Sequence, residues 1–167
     1  MPIISLDTSN PFVDGRQSKR AMTIRTGVER YFVEAGWATL PELTLPTGRR
    51  ADLVALSAKG KVCIVEIKSS IADLKADTKW PEYRPYCDEL IFATLADVPM
   101  EIFPEDAGFM VADAHGAELL RPPEPEKMVA ARRKIVHLAF ARSSAQRLAR
   151  CCAHAGLDSS HFNDSQN

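Results

Sequence analysis

Two apolar runs, Arg50-Ala51-Asp52-Leu53-Val54-Ala55-Leu56 and Val62-Cys63-Ile64-Val65-Glu66-Ile67-Lys68, decide how this chain folds. Both are short, apolar and rich in Val and Ile, which predicts strands. Ser57-Ala58-Lys59-Gly60-Lys61 joins them as a turn, with Gly60 able to supply a positive φ. If Leu56 pairs with Val62 in an antiparallel hairpin, then Val54 pairs with Ile64 and Asp52 falls opposite Glu66. Alternation along a strand puts Glu66 and Lys68 on the face of Val62 and Ile64, and Asp52 on that of Val54 and Leu56. A slip of one residue would separate the two acids. In register, their Cβ atoms stand about 5 Å apart, close enough to hold one divalent cation between the carboxylates.

The flanking sequence supplies the rest of an α/β architecture. Ser18 is positioned to cap a helix over 19–35, ended by Gly36, with Ile24, Val28 and Phe32 on its apolar stripe and Glu29 at the edge of that stripe. Residues 37–45 read as a first strand that Pro41 and Pro46 keep near a sheet edge. Ser70 and Asp73 resemble a capping box opening a helix to about Trp80, with a second short segment near Tyr83 to Asp88. Leu90-Ile91-Phe92-Ala93-Thr94-Leu95 reads as a buried strand parallel to its neighbour. Phe109–Ala112 and Ala117–Leu120 form a further hairpin around His115-Gly116, and a long helix covers about 126–154. The order predicts a mixed sheet flanked by helices, with residues 1–17 as an irregular arm, 18–155 as one domain and 156–167 as a disordered tail.

Composition narrows the class. The 167 residues carry a net charge of −1, with 46% hydrophobic and 26% charged residues, ordinary for a globular domain. No apolar run reaches the length of a membrane span, and the N-terminus lacks the pattern of a secretory signal. Cysteines at 63, 87, 151 and 152 include no C-x-x-C pair, so free thiols in a cytoplasmic setting are expected. The charge is unevenly distributed. Residues 1–126 hold 20 acids against 14 Lys and Arg, whereas 127–150 hold seven Lys and Arg and no acid. That basic helix, with Arg132 and Arg133 near its start, reads either as a DNA-backbone contact or as an amphipathic helix whose charge answers the acidic remainder.

Charged residues inside apolar strands are costly unless paired or bound to a metal. Asp52, Glu66 and Lys68 together suit metal-assisted hydrolysis of a phosphodiester. Hard oxygen ligands favour Mg²⁺ or Mn²⁺, with the Ile67 carbonyl available as a further donor and Lys68 on the same strand face to orient water or balance phosphate charge. A buried ion cluster without catalysis fits the same three residues.

The acid, turn and Glu-x-Lys pattern resembles the PD-(D/E)XK nuclease superfamily. A wider set of segments resembles the MmcB family of bacterial DNA repair proteins over about residues 20–150. These are Leu40-Pro41-Glu42-Leu43, Gly48-Arg49-Arg50-Ala51-Asp52-Leu53, Ile64-Val65-Glu66-Ile67-Lys68-Ser69-Ser70, Asp77-Thr78-Lys79-Trp80-Pro81-Glu82-Tyr83, and Pro104-Glu105-Asp106-Ala107-Gly108 followed by Val111-Ala112-Asp113. Ala51 departs from the superfamily pattern, in which a proline often precedes the acid. The resemblance implies a restriction-endonuclease-like core and a part in DNA repair, with DNA and other repair proteins as partners. It also implies Mg²⁺-dependent cleavage through Asp52, Glu66 and Lys68, with a first-helix glutamate, Glu29, as a further acid. Glu29 reads equally as a solvated helix residue paired with Arg25 or Arg30. Arg49, Arg50 and Lys79 are candidate phosphate contacts, and Arg49 and Arg50 read equally as partners of Glu42 or another surface acid. A catalytically weak module that binds DNA or docks a repair partner is the alternative function.

Overall fold

Ser18 opens the first helix as its position predicts. Its hydroxyl accepts the Ala21 N–H at 3.2 Å, and helix α1 runs Lys19–Glu34 before Gly36 turns the chain with φ +77. In the computed structural model, which describes residues 18–157, there follow β1 (Ala38–Thr44), β2 (Arg50–Leu56), β3 (Val62–Ile67) and α2 (Ile71–Ala76). A 3₁₀ turn at Trp80–Tyr86 leads to β4 (Glu89–Thr94), and another at Met100–Ile102 to β5 (Gly108–Ala112), β6 (Ala117–Arg121) and α3 (Ala130–Ala155). The expected arm at 1–17 lies outside the described residues, as does the tail beyond 157. Among the described residues no helix is long and apolar enough to cross a membrane.

The six strands form one sheet in the order β1-β2-β3-β4-β5-β6. The β3–β4 and β4–β5 pairs are parallel and the other three antiparallel, so the sheet is mixed, consistent with a restriction-endonuclease-like core. The central hairpin has the register that the pairing arithmetic predicts: Leu56 faces Val62, Val54 faces Ile64 and Leu53 faces Val65. Strand β1 is an edge, as Pro41 requires.

Each sheet face is covered by a different part of the chain. Ile24, Val28 and Phe32 of α1 pack on Leu53, Val65, Ile91 and Met110. On the opposite face Val136 and Phe140 of α3, with Tyr83, meet Val54, Ile64 and Leu90. Leu74, Phe92, Phe103 and Phe109 extend the core under the Met100–Ile102 turn. Full burial of each such side chain contributes about 1.5–3 kcal/mol, so helices on both faces are needed to keep the sheet from water.

Two helix boundaries differ from the sequence expectation. Helix α2 stops at Ala76, because Asp77 leaves the helix and turns its carboxylate to the Lys79 N–H at 2.8 Å. Helix α3 starts at Ala130, four residues late, since the preceding segment is engaged elsewhere: the Glu126 N–H donates to the Asp88 carbonyl at 2.8 Å. Asp88 fastens this segment and α3 to the start of β3. Its carboxylate accepts the Val62 N–H at 2.8 Å and two hydrogen bonds from Arg133, at 2.6 and 2.8 Å.

Both the Asp88 clasp and the close approach of α1 are testable. Burial works against the Asp88 charge, but the Arg133 and Val62 hydrogen bonds outweigh it and hold the carboxyl below its ordinary range. A depressed folded-state pKa stabilises the fold above the ordinary value of 3.8 and is lost as the pH falls below it. Arg133→Met should therefore cost about 2 kcal/mol at neutral pH, with the difference from wild type shrinking in acid, as read by urea denaturation at pH 7 and pH 3. Gly27 lies where an added Cβ would stand 2.1 Å from the Asp113 carbonyl oxygen and 2.3 Å from that of Gly116. Gly27→Ala should lower stability by about 3 kcal/mol or more, measured by the same denaturation.

Candidate active site

The β2–β3 ladder ends at Leu53 and Val65, and there the two acids take over from it. The Ile67 N–H donates to Asp52 Oδ2 at 2.8 Å, and the Asp52 N–H donates to Glu66 Oε1 at 3.3 Å. Each carboxylate thus fastens the other's strand, which holds both side chains at one place on the sheet. One oxygen of each, Asp52 Oδ1 and Glu66 Oε2, is left out of this exchange.

Lys68 is anchored just beyond. Its N–H donates to the Ala93 carbonyl at 2.9 Å, and Thr94 donates its hydroxyl to the Lys68 carbonyl at 2.6 Å. Its ammonium lies 2.6 Å from Asp77 Oδ2 and 3.8 Å from Glu66 Oε2. Glu66 and Lys68 are 3% and 5% exposed, so their charges are largely out of water and interact strongly.

These residues line a cleft of about 530 Å³. Asp52, Glu66, Ile67 and Lys68 form its floor, and Arg50, Asp73, Asp77, Lys79 and Tyr83 stand around it, with the cap residue Ser18 and Ala21 of α1 at another side. The Tyr83 hydroxyl donates to the Arg50 carbonyl at 3.0 Å, and burial raises its pKa, so it stays a donor at neutral pH. Asp73 caps α2 from within the cleft, accepting the Ser69 N–H at 2.9 Å.

The electrostatics follow from crowding and burial. Burial raises the Glu66 pKa well above its ordinary value, and the Asp52 charge raises it further against the pull of Lys68. Burial likewise raises Asp52, opposed by the Ile67 hydrogen bond and Lys68. For Lys68, burial disfavours its charge, but the Asp77 hydrogen bond and the Glu66 charge lift its pKa overall. Asp77 is lowered despite burial, because Lys68 hydrogen-bonds to it. Two acids that resist ionisation beside a committed ammonium form a site in which added positive charge is favourable. The donors are hard oxygens, which fit Mg²⁺ or Mn²⁺, and Mg²⁺ commonly uses one or two carboxylates. Among the described residues no group of three or more His, Cys, Asp or Glu side chains is arranged to hold a metal ion.

The other residues singled out from sequence are distributed differently. Arg50 and Lys79 are in the cleft. Arg49 makes a two-pronged pair with Glu82, at 2.8 and 3.0 Å. Arg132 stacks over Tyr86, 5.7 Å from the ring centre, and Arg133 is engaged by Asp88 and by the Gly60 carbonyl. Glu29 lines a separate cleft with Arg25 and Arg147, away from the Asp52 floor. Asp77 and Thr94 were not singled out. Asp77 lies just past the end of α2, where no local sequence signal marks it as a partner of Lys68, and nothing in sequence marks Thr94.

The raised Glu66 pKa has a sign that can be checked without metal. The folded state holds the Glu66 proton more tightly than the unfolded chain, so stability falls as the pH rises from 4.5 through the folded-state value. Glu66→Gln removes this loss while keeping a carbonyl for the Asp52 N–H. In EDTA at pH 8 the variant should be about 1 kcal/mol or more stabler than wild type, and the difference should shrink at pH 4, measured by urea denaturation.

The comparisons with known proteins agree with this architecture. No curated protein matches the chain. The solved structure of a Silicibacter pomeroyi protein of unknown function is similar, with 34% sequence identity and a TM-score of 0.76 over 79% of this chain and 90% of that one. Residues 8–155 match the family model for DNA repair proteins of the MmcB-like type. A match over that span shows the family: the chain belongs to the MmcB-like DNA repair proteins, and its role lies in DNA repair.

Proposed function

We propose that this protein is a divalent-metal-dependent DNA nuclease of the PD-(D/E)XK type that acts in DNA repair. The observation that carries this reading is the reciprocal Asp52–Glu66 clasp. It orients the buried Glu66 and half-buried Asp52 carboxylates toward one cleft beside Lys68 and leaves one oxygen of each outside the clasp, that of Glu66 3.8 Å from the Lys68 ammonium. Asp52, Glu66 and the Ile67 carbonyl would hold Mg²⁺ or Mn²⁺, which when bound supplies charge neutralisation at the phosphate and a more acidic water.

The chain's own groups supply the remainder. The Lys68 ammonium, kept charged by Asp77, balances negative charge developing on the phosphate and orients the attacking water by hydrogen bonding. Arg50 and Lys79 at the cleft wall hold neighbouring phosphates of the DNA backbone. Tyr83 braces Arg50 through the Arg50 carbonyl.

A second reading is a module that binds DNA or a repair partner without cutting. It is favoured by the small carboxylate set and by the Asp77 pairing, which draws Lys68 toward the cleft wall. Calorimetric titration with Mg²⁺ and Mn²⁺ separates the two, because an inert module has no need to bind the cation through Asp52 and Glu66.

The decisive assay is a panel of labelled single-stranded, duplex, flapped and mismatched DNAs incubated with wild type or Asp52→Ala in Mg²⁺, Mn²⁺ or EDTA. Cleavage should require the cation and fall by about a hundredfold or more in the variant. Equal cleavage by wild type and Asp52→Ala would sink the assignment.

A further inference from the structure

A second cleft, of about 410 Å³, opens between α1, β1 and α3. Arg25 and Glu29 reach it from α1, Pro41 from the edge strand, and Ser144 and Arg147 from α3. Arg25 is the buried cation of this cleft. It is 6% exposed, and its Nη1 has no hydrogen-bond partner among the described residues. A guanidinium keeps its charge even when withdrawn from water, so unmet donors there are costly.

The neighbours define what would satisfy it. Burial raises the Glu29 pKa while the Arg25 charge lowers it, and no hydrogen bond joins the two side chains, so Glu29 leaves Arg25 Nη1 unmet. The donors of Arg147 already go to the Pro41 and Glu42 carbonyls, and Arg150 lies close enough to act on the Arg147 charge. Among the lining residues two arginines, Arg25 and Arg147, stand against one acid, Glu29, while Glu42 and Arg150 beyond the lining act on Arg147 with opposite sign. A planar guanidinium with free donors matches an oxyanion, and phosphate best among the common ones.

We propose that this cleft is an oxyanion site in which Arg25 takes a phosphate group, free or at a nucleic-acid terminus, and in which Glu29 limits the affinity. Ala21 and Arg25 are one helical turn apart on one face of α1, about 6 Å along its axis, and Ala21 lines the Asp52 cleft. The two clefts share no lining residue, so a phosphate on Arg25 does not depend on a metal at Asp52.

The test is binding of inorganic phosphate in EDTA, by calorimetry and by thermal shift against chloride at matched ionic strength. Wild type should bind, Arg25→Met should bind about tenfold more weakly or less, and Glu29→Gln should bind several-fold more tightly. Arg25→Lys keeps the charge but loses the planar fork, and should weaken binding in a protein whose fold is verified by circular dichroism. Oligonucleotides with a 5′-phosphate or a 5′-hydroxyl distinguish the sources: preference for the phosphorylated strand assigns a terminal phosphate, and no preference assigns the free ion. Unchanged phosphate affinity in both Arg25 variants, or no gain in Glu29→Gln, would overturn the site. Failure of DNA cleavage by the wild type leaves this result untouched, since no metal enters the measurement.

Discussion

The exchange of backbone N–H groups between Asp52 and Glu66 is the constraint on which the rest of the site depends. Where two antiparallel strands separate, their unpaired N–H groups must find acceptors, and buried ones find them inside the protein. Here the acceptors are the two acids, so the same bonds that end the sheet also orient the carboxylates. The arrangement joins fold to chemistry: a hairpin in any other register would lose the clasp together with the site. It also concentrates two negative charges where water is scarce, a cost that a well-packed apolar pair would not carry.

The backbone opposite Asp52 is strained in a way that fits this role. In the β1–β2 register Pro41 faces Leu53 and Leu43 faces Ala51, which sets Glu42 across from Asp52. Glu42 is the one non-glycine residue with positive φ among the described residues, at +54. Such a conformation costs about 1–3 kcal/mol and persists where its surroundings hold it. Arg147 from α3 does so by donating to the Pro41 and Glu42 carbonyls. The same contact, with Pro41, occupies the edge of the sheet, where an open row of carbonyls would invite another strand.

Much of this was legible in the sequence, and the limits have physical causes. Alternation and a short turn determine a hairpin register, so the Asp52–Glu66 opposition follows from residue types alone. Ser18 and Ser70 announce their helices because capping is local chemistry. The Asp77–Lys68 pair was not legible, because it depends on where a chain leaving α2 turns in space. Glu29 shows the same limit from the other side. Helical periodicity places it at the edge of the α1 stripe but does not say which cleft that edge borders, and the structure gives it to the Arg25 cleft.

The basic C-terminal helix shows most clearly why a count of charges is not a surface. Residues 127–150 carry seven Lys and Arg and no acid, which by composition suggests a strip for a phosphate backbone. Three of those seven make contacts within the chain. Arg133 holds Asp88 and the Gly60 carbonyl, Arg147 holds the strained edge of β1, and Arg132 stacks on Tyr86. Between the remaining cations stand exposed apolar side chains, Ile135, Leu138 and Leu148, which gain nothing from a phosphate backbone. Arg132, Arg133 and Arg147 thus fasten the helix to its own chain, across the sheet edge and the start of β3. The cationic groups that line the cleft of the carboxylates beside Lys68 are Arg50 and Lys79, two residues that a count weighted toward the C-terminus passes over.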